Sequence, residues 1–429
     1  MLTSTEPIRE KAAFAVRRTG CSLPVQDGRE ATVMDAQDIG WQRSDTDHIA
    51  AARALVPLLQ AAGPRGDALS ELAPEVIEAM HAAGMFRLLL PRSIGGAELD
   101  PVTYVQCVEA IASGDASAAW CMNQGSGCSM SAAYLDPDWA RHVFADRRAV
   151  LAWGQGPGAK AIRAEGGWRV TGKWGFASGS RHCTWLGGHC PIFEADGTRI
   201  HRPDGKPWDA TMLFRREEAQ ITDTWDVMGL RGTGSDSYAV TDRFIPNHLT
   251  LTRDMEAERR HPGLLYRFST MNLYAAGFAG VAMGVARGAL DAFVELARDK
   301  TPALTQSALA DSQVIQHQLA YNEAKLGAAR LLVLKALADA QEAATTAISL
   351  PVPHRAAIRL AATFAIHQSR EVVDFAYHEA GATAIFKNNP FERRFRDVHT
   401  VCQQVQGRSS HFETVGQYLL GLPFSERWL

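Results

Sequence analysis

A long segment in the middle of the chain has the pattern of β-strands, whereas the residues on both sides have the pattern of helices. From Val150 to Pro246, glycines are frequent and β-branched or aromatic residues alternate with others, which is typical of short strands joined by turns. On the N-terminal side, Leu72, Val76 and Met80 recur at fourfold spacing, as on one face of a helix. A chain with this pattern must combine one β-domain with two separate helical regions.

The helical pattern returns after residue 272 and continues to the C-terminus. Four long helices are predicted there, at 272–298, 311–347, 354–380 and 391–420. Long helices with short connections favour an up-and-down bundle, so the sequence predicts a mainly α fold with a central β-domain. The predicted domains are a loosely attached extension at 1–44, an N-terminal helical domain at 45–149, a middle β-domain at 150–255 and a C-terminal helical bundle at 256–429.

Composition and charge exclude some classes of function. The 429 residues carry a net charge of −3 without a dense Lys/Arg block, so no nucleic-acid partner is expected. The most apolar stretch, 271–286, soon reaches Arg287 and Asp291, which predicts a buried helix and not a membrane span. The first residues include Glu6 and Arg9 in place of the apolar core of a signal peptide, which predicts a cytoplasmic protein.

The cysteines give no sign of a metal centre. They are seven in number, without a CxxC pair, which favours reduced thiols. Two His-Cys pairs, at 182–183 and 189–190, are seven residues apart. In a strand this spacing places the pairs on opposite faces, so we predict no metal site.

Residues 169–179 read Arg-Val-Thr-Gly-Lys-Trp-Gly-Phe-Ala-Ser-Gly, a pattern typical of a strand, a tight turn and a second strand. An ordinary hairpin with a buried aromatic residue has the same pattern. The run also resembles the flavin-binding β-motif of the acyl-CoA dehydrogenase superfamily, in the form found in its two-component, flavin-dependent monooxygenases. In that family the aromatic residue two places before a Ser or Thr packs near the flavin ring, and the hydroxyl binds flavin N5. By this resemblance, Phe176 contacts the flavin and Ser178 binds N5.

Other segments resemble the same superfamily in the same order along the chain. Residues 81–98 resemble its N-terminal helical signature, 153–157 the loop that runs past the flavin, and 229–246 the segment that ends its β-domain. The resemblance covers residues 45–429. It implies an acyl-CoA dehydrogenase-like fold with an N-terminal helical domain, a middle β-barrel-like domain and a C-terminal four-helix bundle.

A dehydrogenase of this fold needs a carboxylate general base, which in most of the family follows an Arg-Asp pair on the last helix. Here the pair is Arg396-Asp397, but residues 398–410 contain neither Asp nor Glu, and Glu413 lies too far along. The sequence therefore favours a monooxygenase. Two alternatives stay open: an acyl-CoA dehydrogenase with a displaced base, and a catalytically silent scaffold of the same fold. The intact flavin motif argues against the second.

The residues after the Arg-Asp pair supply one catalytic candidate. The monooxygenase branch has an Arg-Asp-x-His-Thr stretch, often with a second His further on. His399 fits the first position, whereas Gln404 stands at the later one and can hydrogen-bond but cannot titrate. The resemblance implies that His399 acts over the flavin and that Gln404 contacts the substrate. A helix residue that bonds a neighbouring chain is an equal alternative for His399.

Further site residues follow from the resemblance. The small-residue helix around 115–120 lines the active site in the oxygenase branch, so Trp120 is assigned to the substrate wall. Asn123, one turn further, is assigned to the reacting oxygen or the substrate, with a capping or solvent-facing role as the alternative. The predicted flavin-binding residues in and near the β-domain are Trp153, Gln155, Trp174, Phe176 and Ser178. Each tryptophan alone fits a plain core position equally well.

Two positions in the C-terminal bundle complete the predicted site. Arg298 ends a long helix and is assigned to the flavin phosphate, although it fits a charge that stabilises the helix C-terminus equally well. The segment around Gly381 resembles the loop that reaches a flavin held by the neighbouring subunit. The resemblance therefore implies a homo-oligomer, and specifically a tetramer.

The stretch 403–415 resembles indole and indole-3-acetate oxygenases of this branch. The resemblance implies that reduced flavin (FAD or FMN) reacts with O2 to give a C4a-hydroperoxide, which oxygenates a small aromatic, indole-like molecule. No nicotinamide-binding fingerprint is present,. A separate NAD(P)H-dependent flavin reductase is therefore expected as a partner.

Overall fold

The computed structural model describes residues 45–253 and 255–429. The predicted extension at 1–44 lies outside the described residues. Five helices come first: α1 (Asp45–Leu69), α2 (Pro74–Ala82), α3 (Pro101–Gly114), α4 (Ala116–Ser129) and α5 (Pro137–Phe144). Local sequence explains where three of them begin, because α2, α3 and α5 each have proline at the first position, where its missing N–H is not needed.

Eight strands follow in the middle of the chain. They are β1 (Leu151–Trp153), β2 (Lys160–Ala164), β3 (Gly167–Ala177), β4 (Trp185–Phe193), β5 (Asp209–Arg215), β6 (Gln220–Thr222), β7 (Asp236–Pro246) and β8 (Thr250–Leu251). The order across the sheet is β6-β7-β3-β2-β4-β5-β8, with β1 paired to β4. The pairs β1–β4 and β2–β4 are parallel and the others antiparallel, so the sheet is mixed. The interior strand β3 ends at the residues of the flavin-like motif.

The prediction of a tight turn within residues 169–179, at Thr171-Gly172, is wrong. Residues 167–177 form one continuous strand, β3, whose register against β7 shifts between Val170 and Gly172 and again between Trp174 and Ala177. These irregularities are β-bulges, which bend a strand and re-aim its side chains. Glycine is required at the first one, because a Cβ on Gly172 would lie 2.6 Å from the Trp174 ring. The glycine that suggested a turn therefore serves close packing inside a strand.

Five further helices form the C-terminal region: α6 (Thr270–Asp299), α7 (Gln313–Ala344), α8 (Val352–Glu379), α9 (Phe391–Gln403) and α10 (Ser410–Leu419). The predicted single helix at 391–420 is therefore two helices. Gln404 leaves the helical conformation at φ −69° and ψ 149°, and a short 3-10 turn follows at Val405–Gly407. This break turns the chain at the end of α9, next to the cavity described below. The predicted order of helical, β and helical elements is confirmed.

Helix α6 is the central element of the core. It is 30 residues long with a mean hydropathy of 1.3 in its most apolar window, and 94% of that window is buried inside the protein. The length and composition of α6 alone would allow it to span a membrane, but a helix this deeply buried inside the protein is typical of a protein core. Small residues let other helices approach it closely. A Cβ on Gly284, for example, would lie 2.2 Å from the Glu109 carbonyl oxygen of α3.

Candidate active site

A cavity of about 1300 Å³ lies where the end of β3 meets α4, α6, α9 and the C-terminal residues. Phe176 and Ser178, which lie two positions apart at the end of β3, both line it. Phe176 has a φ of +60°, a left-handed conformation that costs a residue with a side chain roughly 1–2 kcal/mol. Its ring is 68% exposed and meets Trp225 edge-on with the centroids 6.1 Å apart. A strained, exposed aromatic side chain beside a cavity is typical of a ligand-binding position.

A chain of hydrogen bonds fixes the direction of the Ser178 proton. The Trp120 indole N–H donates to Ser178 Oγ at 2.9 Å, and Ser178 Oγ lies 2.7 Å from Ser235 Oγ. Ser235 Oγ lies 2.7 Å from Thr233 Oγ1, whose hydroxyl donates to the Leu230 carbonyl at 2.8 Å. Because each hydroxyl has one proton, Ser235 must donate to Thr233 and Ser178 to Ser235. Ser178 Oγ keeps one lone pair for a donor in the cavity.

One wall of the cavity is a row of aromatic rings. The Trp120 and Phe278 ring centroids are 4.2 Å apart, and the Phe278 and Tyr274 rings are stacked with centroids 6.0 Å apart. All three residues line the cavity and are almost fully buried. Tyr274 and Phe278 are four residues apart on α6, so they project from the same face of the helix. This wall suits a flat aromatic ligand.

The loop after β1 is held close to β3, and this exposes Gln155. The backbone of Gln155 pairs with Gly175 through two hydrogen bonds of 2.9 Å. The glycines on both sides are needed for this approach. A Cβ on Gly154 would lie 2.1 Å from the Gly175 carbonyl oxygen, and a Cβ on Gly156 would lie 2.2 Å from the Trp174 ring. Gln155 and Trp153 both line the cavity; their role in flavin binding stays a prediction.

Helix α9 presents an uncharged face to the cavity. Thr400, Gln403 and Gln404 line it. Among the described residues, the side-chain carboxylates of the lining are Glu256 and Glu426, and Glu426 forms an ion pair with Arg355 at 2.9 Å. The position of the usual dehydrogenase base therefore offers amides and a hydroxyl instead of a carboxylate.

Asp397, the nearest acid on α9, is part of the interior. It is 3% exposed, and its carboxylate accepts a hydrogen bond from the Leu230 amide at 2.7 Å. Burial raises its pKa to about 7, although the nearby Arg393 guanidinium acts in the opposite direction. The carboxyl group is not among the residues that line the cavity. It holds the segment before β7 against α9 instead of facing a substrate.

Two predicted site residues are core residues. Asn123 is 1% exposed, and its Oδ1 accepts a hydrogen bond from the Tyr104 hydroxyl at 2.6 Å, so it neither lines the cavity nor faces solvent. Its neighbour Gln124 lines the cavity, because a step of four residues from Trp120 returns closer to the same helix face than a step of three. Trp174 is fully buried and donates to the His189 carbonyl. The bulge at the end of β3 turns Phe176 and Ser178, and not Trp174, toward the cavity.

The predicted position of His399 over the cavity is wrong. Its Nε2 lies 2.8 Å from Asp374 Oδ1 on α8, and its ring packs on Phe395 with centroids 4.3 Å apart. The residue is not among those that line the cavity. The next residue, Thr400, does line it, because one residue along a helix turns the side chain by about 100°. Docking of α9 thus places His399 against α8 of the same chain.

Arg298 and Gly381 lie apart from the cavity. Arg298 is exposed at the last turn of α6, and neither residue lines the cavity. Gly381 has a φ of +57°, and its position is fixed by Lys300, whose Nζ donates to Thr383 Oγ1 at 2.9 Å. This chain alone therefore does not bring the two residues to Ser178.

Some cavity residues were missed by the sequence analysis. Tyr274 and Phe278 had a detectable signal, an aromatic pair at fourfold spacing within an apolar helix. Ser235 stands in the glycine-rich segment that the sequence assigned to the end of the β-domain, but nothing local connects it with Ser178. Arg253 and the C-terminal residues 427–429 also line the cavity. Their sequence surroundings carry no motif that would have indicated it.

The chain is similar to known proteins along most of its length. The models of the acyl-CoA dehydrogenase N-terminal and C-terminal domains match residues 51–136 and 276–407, together just over half of the chain. Indole-3-acetate monooxygenase of Pseudomonas putida is 27% identical over 359 residues, which cover 83% of this chain and 89% of that protein. HsaA of Rhodococcus jostii, the oxygenase subunit of a flavin-dependent monooxygenase, is 27% identical over 366 residues, which cover 81% of this chain and 91% of that protein.

A solved structure agrees on the fold. The structure of XiaF from Streptomyces sp. in complex with FADH2 and glycerol matches with a TM-score of 0.81 and 23% sequence identity, and the match covers 88% of this chain and 96% of that one. The two matched domain models, the shared element order and the curated relatives agree with one another. The chain therefore belongs to the acyl-CoA dehydrogenase family, in the branch that contains flavin-dependent monooxygenases.

Proposed function

We propose that this chain is the oxygenase component of a two-component, flavin-dependent monooxygenase that acts on a small aromatic compound. In this reaction, reduced flavin supplies two electrons, one atom of O2 enters the substrate, and the other leaves as water. The flavin carries out the oxygen chemistry, while the protein binds, orients and excludes water. The observation that carries the proposal is the Ser178 hydroxyl, which the Trp120 indole and Ser235 hold at the cavity wall.

The cavity fits a flavin on three counts. Phe176 offers an exposed ring on which a flat isoalloxazine can pack. Ser178 has one lone pair free for the N5–H of a reduced flavin, because its proton is donated to Ser235. Gln155 projects from a loop that glycines hold against β3. We assign Phe176, Ser178, Gln155 and Trp153 to flavin binding, with Trp120 and Gln404 on the substrate side.

The uncharged face of α9 favours oxygenation over dehydrogenation. Proton abstraction next to a thioester requires a carboxylate within hydrogen-bond reach of the reacting carbon. Thr400, Gln403 and Gln404 cannot supply it, and Asp397 is buried away from the cavity. An acyl-CoA dehydrogenase with a base on another element remains the competing candidate.

The proposed monooxygenase function also implies a type of substrate and a set of partners. The aromatic wall formed by Trp120, Phe278 and Tyr274 suits a planar bicyclic ring such as indole,. A separate NAD(P)H-dependent reductase would supply reduced FAD or FMN. We assign Arg298 to the flavin phosphate and Gly381 to a flavin held by a neighbouring subunit. A shared site of this kind requires a homo-oligomer, and the tetramer stays a prediction. The cytoplasmic location stays a prediction.

The decisive experiment follows the oxygen atom. The purified protein is given indole, reduced FMN or FAD from a separate flavin reductase, and ¹⁸O2, and the product is analysed by mass spectrometry. We expect one labelled oxygen in the product and no product when the reductase is omitted. The competing dehydrogenase is tested in parallel, by anaerobic addition of acyl-CoA thioesters to the protein with oxidised FAD. Bleaching of the flavin there, without labelled product in the first assay, would refute the proposal.

A further inference from the structure

The cavity is rich in positive charge although the whole chain is slightly acidic. Seven arginines line it, together with two glutamates among the described residues; the arginines are Arg202, Arg253, Arg259, Arg267, Arg355, Arg408 and Arg427. The net charge of the chain is −3. Such a concentration of one sign of charge in a cavity attracts ligands of the opposite sign. The individual arginines, however, differ in what they already bind.

Three of these arginines hold the protein together. Arg259 donates to the carbonyls of Tyr266 and Ile348 at 3.1 and 3.0 Å. Arg267 donates from Nη1 to several carbonyls at the end of α7, the shortest of these bonds being 2.7 Å. Arg355 pairs with Glu426. The three side chains bind backbone carbonyls or a carboxylate of the protein itself, so we assign them a structural role.

Arg253 has two buried donors without an acceptor among the described residues, whereas Arg202 and Arg267 have one each. Its Nε and Nη1 are buried and make no hydrogen bond with any described residue. The guanidinium lies on the face of Trp153 at 4.0 Å from the ring centroid, a cation–π contact that fixes its plane. Buried donors of a charged group are costly when unpaired. An acceptor supplied by a ligand would remove that cost.

Two buried titratable side chains near Arg253, His189 and Tyr274, carry no negative charge at pH 7. His189 also contacts Trp153, in a T-shaped arrangement with ring centroids 4.8 Å apart. Its pKa is lowered to about 3, first by burial and second by the positive charge of Arg253, so it is neutral at pH 7. Tyr274 is also buried, and its hydroxyl lies 3.4 Å from the Cys128 sulfur. Burial raises the pKa of Tyr274 well above its usual value, so it is neutral too.

The aromatic wall connects Arg253 with Ser178. The wall starts at Trp120, which donates to Ser178, continues through Phe278 and ends at Tyr274. Arg253 lines the same cavity as this wall, and its positive charge acts on Tyr274 at one end of the wall. A ring that packs on this wall can carry a substituent to Arg253 while another edge of the ring lies near Ser178. The free Nε and Nη1 donors lie on different edges of the guanidinium, so each can donate a separate charge-assisted hydrogen bond to a carboxylate oxygen,.

We propose that Arg253 is the carboxylate-binding residue of the substrate site, and that the substrate is an aromatic carboxylic acid whose ring packs on Trp120, Phe278 and Tyr274. This inference rests on the proposed function and adds to it the residue that recognises the carboxylate of the substrate. A flavin phosphate is the other anion that could occupy the same donors. The test therefore separates the two sources.

Equilibrium binding to the full-length protein tests the proposal without turnover. Indole-3-acetate and its neutral amide, indole-3-acetamide, are titrated into the protein preloaded with FMN, and dissociation constants are measured by calorimetry. The variants are Arg253→Met, which removes the charge at similar length, and Arg253→Lys, which keeps the charge without the planar fork. Arg408→Met is the matched control, because Arg408 lines the same cavity but is exposed.

We expect the wild type to prefer the acid over the amide by roughly 10-fold or more, the range typical of hydrogen bonds to charged groups. Arg253→Met should abolish that preference while the amide binds within about threefold of wild type. Arg253→Lys should retain part of the preference, and Arg408→Met should retain it fully. Thermal melting and circular dichroism show whether each variant is folded. If Arg253→Met does not fold, the comparison is made with Arg253→Lys.

Three results would overturn the proposal. The first is an unchanged acid-to-amide ratio in folded Arg253 variants. The second is failure of both ligands to bind the wild type. The third is a variant that loses FMN affinity but binds riboflavin normally, which would assign Arg253 to the flavin phosphate. None of these readouts depends on oxygen transfer. Absence of labelled product together with bleaching by an acyl-CoA would therefore refute the monooxygenase function and leave the measured carboxylate binding unaffected.

Discussion

The indole N–H of Trp120 donates to the hydroxyl oxygen of Ser178 at 2.9 Å, across 58 positions of the sequence. Trp120 belongs to α4 and Ser178 follows β3, so this bond joins the N-terminal helices to the sheet at the cavity itself. Together with Ser235 it gives Ser178 two fixed partners. The hydroxyl therefore meets a ligand in one orientation, as an acceptor.

Replacing Ser178 by alanine should uncouple oxygen consumption from product formation. Without the hydroxyl, reduced flavin loses an acceptor for N5–H, a hydrogen bond worth about 1 kcal/mol or about fivefold in an equilibrium. We expect the ratio of product to reduced flavin consumed to fall several-fold, with hydrogen peroxide rising to match. Ser180→Ala is the control, since Ser180 bonds the Gly234 carbonyl and does not line the cavity. Equal coupling in both variants would remove Ser178 from the site.

Replacing Ser235 by alanine should change which redox state of the flavin binds best. In the wild type Ser178 acts as an acceptor, which suits the N5–H of reduced flavin, whereas oxidised flavin has an acceptor at N5. Ser235→Ala frees the Ser178 proton, so we expect the preference for reduced over oxidised flavin to shrink by about fivefold, the scale of one hydrogen bond. Ser235→Thr should restore it. Dissociation constants measured anaerobically for both redox states decide the matter, and an unchanged ratio would contradict the assigned direction of the hydrogen bonds.

His399→Ala should keep turnover within about threefold of wild type, because the imidazole bonds Asp374 outside the cavity. A partly exposed pair of this kind contributes at most about 1 kcal/mol to stability. Steady-state rates with indole and a melting curve test both parts. A loss of roughly 100-fold, the scale of a positioned acid–base group, would instead place His399 in the chemistry.

Gln404→His should add a titratable group to the cavity, since Gln404 lines it. We expect the rate or the coupling of this variant to change with pH around 6.5, the ordinary pKa of histidine. The same profile should be absent from the wild type and from His399→Gln. A variant whose profile matches the wild type would show that position 404 does not reach the reacting atoms.

Acid should destabilise the protein partly through His182. Burial lowers its pKa from 6.5 to about 4, and its buried Nε2 has no partner among the described residues. The native state therefore takes up this proton less readily than the unfolded chain. Stability is full above pH 6.5 and is lost as the pH falls toward 4, by about 3 kcal/mol. His182→Gln should reduce the loss between pH 6.5 and 4 in urea titrations, whereas the exposed His201→Gln should not.

Local pattern in the sequence is sufficient for the order of elements and for the loop that lines the cavity. Helical periodicity, strand alternation and the motif around Ser178 can each be recognised within a short stretch of the sequence. The resemblance of these segments to the flavin-dependent monooxygenases was enough to group Phe176, Ser178, Trp153, Gln155 and Trp120, all of which line the cavity. Such a grouping is possible where one short motif determines both the local backbone conformation and the side chain that faces the cavity.

Tertiary packing decided which of two neighbouring side chains faces the cavity. Gln124 lines it where Asn123 does not, and Thr400 lines it where His399 does not. Each residue turns a helix by about 100°, so a modest rotation of a docked helix exchanges one neighbour for the next, and no local pattern fixes that rotation. The partners of Ser178 likewise come from 58 and 57 positions away. Such contacts exist only once the sheet has packed against α4, and the same packing leaves Arg253 facing the cavity with unpaired donors.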